Sequence, residues 1–84
     1  MELIARSVKQ VASIIRRFRH LQGLTQGQIG EKIKIRQATV SKLEAGEPAT
    51  QLQTFFDVLT ALDLEIIIRP RTKTSAAEIE EIFS

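Results

Sequence analysis

Residues 24–46 read LTQGQIGEKIKIRQATVSKLEAG, and their spacing describes two short helices meeting at a tight corner. Thr25 stands at an N-cap position with Gln28 three residues on, the reciprocal arrangement of a capping box, so a helix starts there. Ile29 and Ile33 share one stripe of it. Lys34 and Ile35 then break the period, and a second stripe begins with Val40 and Leu43. Opposite that second stripe lie Ala38, Ser41, Lys42 and Ala45, with Gln37 at the side. Small side chains let a helix approach a groove floor, an amide can bond two edge atoms of adenine, and a lysine can reach guanine acceptors or phosphate. An ordinary solvated surface helix is the plain alternative for such a face. The spacing of the whole segment favours the major groove of DNA.

With these residues in view, the run resembles the helix-turn-helix of lambda-repressor-like, Cro-type regulators. Leu24-Thr25-Gln26, the aliphatic pair Ile29 and Ile33, the turn aliphatic Ile35, the hydroxyl-bearing second helix and the closing Glu44-Ala45-Gly46 follow that pattern without a gap. The resemblance covers roughly residues 7–69. Within the family, IRQATVSKLE followed by a Phe-Phe helix and an aliphatic strand is most similar to the small DNA-binding antitoxins that partner HipA-type kinases. The resemblance implies that Gln37, Ala38, Ser41 and Lys42 face base edges and that Arg36 meets a base or a phosphate. It likewise implies that Thr25, Gln26, Gln28 and Thr39 hold the phosphate backbone, and that Arg19 and Glu44 form a structural ion pair bracing the reading helix. Three positions depart from the pattern: Gly30 replaces a helix-packing Ala, Lys34 replaces the turn Gly, and Arg36 replaces a hydroxyl cap. Lys34 is therefore expected in a left-handed conformation, and the second helix is expected to lack a side-chain cap.

Eighty-four residues, 43% of them hydrophobic, suffice for one small helical core and not for two. There is no cysteine, which excludes disulfides, thiolate chemistry and cysteine-based zinc sites. Neither Leu3-Ile4-Ala5 nor Ile66–Ile68 is long enough for a signal core or a membrane span. A cytoplasmic location is expected. Charge is distributed unevenly along the chain: residues 1–46 hold nine Lys or Arg against three Glu, and residues 47–84 hold three against seven acidic residues. The basic half carries the reading segment and suits a phosphate backbone; the acidic half should face away from it. His20 is the lone histidine and has no partner pattern for a metal or a triad. With no Tyr and no phosphate-cradling glycine loop either, the sequence argues for no enzyme, no cofactor and no metal.

Around the motif, Ser7 with Gln10 suggests a capping box for a first helix whose core positions are Val8, Val11, Ile15 and Phe18, ended by Gly23. Arg16 and Arg17 lie on its outer side. Thr50 with Gln53 suggests another box, opening a helix with the stripe Leu52, Phe55, Phe56, Leu59 and Leu62. The period then turns extended at Leu64, Glu65, Ile66, Ile67 and Ile68, stopped by Pro70. A lone aliphatic strand needs a neighbour, and the economical neighbour is its own copy across a two-fold axis; Glu2–Arg6 is a weaker competitor.

The expected fold is an all-α, four- to five-helix domain over residues 1–70, with a C-terminal β-strand (Leu64, Ile66, Ile67, Ile68) pairing across a homodimer. Residues 71–84 form a tail in which Ile79, Ile82 and Phe83 sit among Glu78, Glu80 and Glu81; a capping box at Ser75 and Glu78 would let it fold as a short helix on a protein partner. The expected function is that of a DNA-binding repressor of its own operon, acting as antitoxin to a HipA-like toxin kinase. Its partners would be operator DNA, a second copy and the kinase, with no membrane. The alternatives are a stand-alone or phage-type repressor and a helix-turn-helix fold used only for protein interaction.

Overall fold

The computed structural model describes residues 2–71, and the tail set Ile79, Ile82 and Phe83 lies outside them. Four helices follow in order: α1 Val8–Leu21, α2 Gln26–Ile33, α3 Gln37–Glu44 and α4 Leu52–Ala61. The first two begin at side-chain caps. The Ser7 hydroxyl accepts from the Gln10 N–H at 3.1 Å, while the Gln10 side chain reaches the N–H of Arg6 and not that of Ser7, so this box closes on one side only. At α2 the box is complete: Thr25 Oγ1 accepts from the Gln28 N–H at 3.0 Å and Gln28 Oε1 accepts from the Thr25 N–H at 2.8 Å.

Left-handed residues stop the helices. Gly23 (φ 69°) and Gly46 (φ 80°) supply that conformation without a steric cost, and Asp63 (φ 57°) adopts it after α4. In each case the next amide returns to the carbonyl five residues back: Leu24 to Arg19, Glu47 to Lys42, and Leu64 to Leu59. Lys34 (φ 60°, ψ 43°) ends α2 in the same left-handed region, as the missing turn glycine led us to expect.

The core joins one face of every helix: Ile15 from α1, Ile29 from α2, Val40 and Leu43 from α3, and Val58, Leu59, Ala61 and Leu62 around the end of α4. Burying each large aliphatic of this set contributes about 1.5–3 kcal/mol. Two polar side chains fasten the end of α4 to the rest. Gln22 Nε2 donates to the Leu62 carbonyl at 2.7 Å, and Lys32 Nζ donates to that of Ala61 at 3.1 Å, satisfying carbonyls that a helix end leaves open.

Several sequence expectations are corrected here. The N-cap of α4 is Gln51 without a side-chain bond, and Gln53 turns its amide to Asp57 Oδ1 at 2.9 Å, so Thr50 caps nothing. The buried arc of α4 centres on Val58 and Leu62, which leaves Phe56 43% and Leu52 68% exposed. Leu52 opens the helix and overhangs the bundle, and Phe56 lies off the arc. Val8 is 49% exposed for the same reason of overhang, while Ala12 is buried beside Ile15.

No strand forms among the described residues. Residues 64–71 flank an apolar groove floored by Val11, Ile14, Phe18 and Phe55, and Glu2–Arg6 line it as well. Arg69 and Glu2 approach to 3.6 Å, yet no ladder joins the two segments. A strand exists only through backbone bonds to a neighbour, and one chain supplies none here. Ile67 and Ile68 are 65% and 93% exposed.

Candidate nucleic-acid interface

The corner between α2 and α3 is built around the absence of one methyl group. A Cβ at Gly30 would lie 2.6 Å from the Ile35 carbonyl oxygen and 3.5 Å from the Gln37 nitrogen. That backbone cannot yield as a flexible side chain could, so glycine in place of the family's usual alanine lets the turn pass close over α2. The Ile35 amide then bonds the Gly30 carbonyl at 2.9 Å. Arg36 takes the cap position of α3 in an extended conformation (φ −72°, ψ 146°) without a side-chain cap bond.

Behind α3, Arg19 and Glu44 form a two-pronged ion pair. Arg19 Nε donates to Glu44 Oε2 at 2.7 Å and Nη2 donates to Oε1 at 2.9 Å, with side chains only 10% and 3% exposed. The remaining Arg19 nitrogen, Nη1, donates to the Leu24 carbonyl at 2.9 Å. Gln26 Nε2 adds a bond to Glu44 Oε1 at 3.2 Å. One carboxylate thus ties the end of α1, the start of α2 and the end of α3, and its charge is matched where solvent is scarce. His20 is exposed, with Nε2 3.4 Å from Arg19 Nη2. Among the described residues no group of acidic or histidine side chains could hold a metal ion.

The outer side is the inverse. Arg36, Gln37, Ala38, Ser41 and Lys42 are all exposed, and Thr39 is half-buried at the edge of the same face. Among the described residues the side chains of Arg36, Gln37, Ser41 and Lys42 have no hydrogen-bond or ionic partner. Thr25 and Gln28 are spent only in part: the threonine hydroxyl proton and the glutamine NH₂ group remain for acceptors such as phosphate oxygens. The first-turn amides of Gln26 and Gly27 precede any carbonyl that could accept them within α2. The residues expected to meet DNA thus lie on α2, α3 and their caps, all exposed but Gln26 and Thr39, which are half-buried. Sequence reasoning missed that the Gln26 amide braces Glu44; nothing in local spacing signals a bond between residues 26 and 44.

Comparison with known proteins agrees with this geometry. Residues 15–67 match the helix-turn-helix family. Antitoxin HipB of Escherichia coli (strain K12) is 33% identical over 75 residues, spanning 89% of this chain and 85% of HipB. Among solved structures, a HipB-O4 20mer complex superposes with a TM-score of 0.79 at 33% identity, covering 82% of this chain and 97% of that one. A HipA-HipB-O2-O3 complex gives 0.78 at 35% identity, covering 86% and 100%. The chain belongs to the helix-turn-helix family, and within it to the group of the HipB antitoxins.

Proposed function

We propose that this protein is a cytoplasmic, non-enzymatic DNA-binding antitoxin that represses its own operon and partners a HipA-type toxin kinase. One observation carries the DNA-binding part: the polar groups on the outer face of α3 are unspent, while those on its inner side are fully engaged. A surface that leaves a guanidinium, an amide, a hydroxyl and an ammonium unpartnered within bonding reach of one groove is suited to base edges and phosphates. The solved relatives add the partners, since HipB occurs there with 20mers and with HipA. Residues 1–70 act as the DNA-binding and dimerisation domain. The pairing element is residues 64–69, joined antiparallel across a two-fold axis so that two copies of α3 meet half-sites about 34 Å apart. Residues 71–84 form the segment that reaches the kinase.

Binding to duplex DNA measured at rising salt tests this reading, because counterion release makes affinity fall steeply where several phosphates are contacted. Within that measurement, Gln37→Ala is expected to cost about 1–3 kcal/mol at the preferred site and to relax its sequence preference. Equal loss on every duplex would remove Gln37 from the base-reading set. Salt-insensitive or absent DNA binding would leave the protein-interaction alternative.

A further inference from the structure

The chain holds four glycines, and three have a backbone reason: two adopt positive φ, and Gly30 would drive a Cβ into a carbonyl. Gly27 has neither. It sits inside α2 in ordinary helical geometry, and a Cβ there would make only van der Waals contacts, at 3.8 Å from Gln37 Oε1 and 3.8 Å from Thr25 Oγ1. Glycine in a helix carries a stability cost relative to alanine, so nothing in the fold accounts for it. What Gly27 borders is the amide of the first residue of α3, which is exposed and has no hydrogen-bond partner among the described residues.

We infer that Gly27 is a specificity-determining residue: by presenting no side chain to Gln37, it leaves both amide atoms available for one base. The inference rests on the reading of α3 as the major-groove helix. Adenine is recognised by a glutamine through two bonds at once, the NH₂ group donating to N7 and Oε1 accepting from the N6 amino group. A hydroxyl on residue 27 would extend from the Cβ position toward Gln37 Oε1 and come within donor reach of it. Oε1 would then be occupied by the protein, and the amide could only donate. Donors alone suit the acceptors N7 and O6 of guanine as well as the N7 of adenine, so the discrimination between the two purines would collapse. A methyl at the same position has nothing to donate and would leave the amide as it is.

The test uses the full chain and duplexes that it selects from a randomised library, each then varied at single positions. The position at which Gln37→Ala relaxes preference identifies the base pair read by Gln37. At that position, Gly27→Ser is expected to reduce the preference for adenine over guanine about tenfold, within the range of a single two-bond contact. Gly27→Ala is expected to leave the preference unchanged. In a Gln37→Ala background, Gly27→Ser should have no further effect on base choice. Thermal melts of the two Gly27 variants at or above that of the parent verify that folding is intact. An unchanged purine preference in Gly27→Ser, or a change that persists without Gln37, overturns the inference while leaving Gln37 as a reader. Should Gln37→Ala itself alter no base preference, the reading of α3 fails first and the inference goes with it.

Discussion

The corner formed by α2 and α3 and the flank formed by residues 2–6 and 64–71 are both exposed, in opposite chemical senses. At the corner the backbone is held by a complete capping box, a left-handed lysine and a turn pressed against Gly30, and what it leaves open is a set of polar side chains and the first-turn amides of α2. On the flank Leu3, Ile4, Ile66, Ile67 and Ile68 are exposed aliphatics, and the backbone of residues 64–71 enters no helix or strand. A surface of the first kind can recognise a partner by donor and acceptor pattern while staying rigid. A surface of the second kind gains by completing a sheet and covering isoleucines, which gives affinity and symmetry and reads no sequence. In the function proposed above, the two regions divide the work of selecting DNA and of doubling the reader.

The sharpest way to break this division is Ile67→Pro, which removes a ladder donor from the flank and touches no residue at the corner. Sedimentation should show monomer, and operator affinity should drop on the order of 10²–10⁴-fold as the linkage of two half-site contacts is lost. A dimer that persists would move the interface to another face. Next in size, Arg19→Ala strands the Glu44 carboxylate, which is 3% exposed, and should cost about 3–5 kcal/mol of folding stability in denaturant titrations. An ion pair on the surface would cost about 1 kcal/mol or less, so the measured value separates a buried brace from a decoration. The smallest effect on the domain is expected from deleting residues 75–84. Folding and operator affinity should stay near those of the full chain, while capture of a HipA-type kinase in a pull-down weakens. Undiminished capture by the shortened chain would place the kinase contact on the helical body.

Much of the corner was legible in the sequence because its determinants are local or follow a family pattern. Thr25 and Gln28 are three residues apart, and Lys34 stands where a left-handed residue is needed. Arg19 and Glu44 are 25 residues apart and were paired by resemblance alone. The errors fell where spacing underdetermines geometry. Periodicity identifies a stripe and leaves open which arc of the helix is covered, so Phe56 and Leu52 were assigned to the core while Val58, fully buried, was passed over. Thr50 and Gln53 have the letters of a capping box, but α4 starts one residue later, at Gln51 and Leu52. The relation of Gly27 to Gln37 has no sequence signature, since it depends on how two helices are set against each other.

The long reach of Arg19 has a consequence during synthesis. Chains emerge from the N-terminus and begin to fold before they are complete. The first turn of α1 can close once Val11 is available, because its amide needs only the Ser7 carbonyl. The last turn of α1, by contrast, carries a guanidinium whose counter-charge is made 25 residues later. Until Glu44 has emerged, docking α1 against the nascent core would bury an unmatched cation. The stabilisation that this pair lends to docked α1 is therefore available only once the whole of α3 exists.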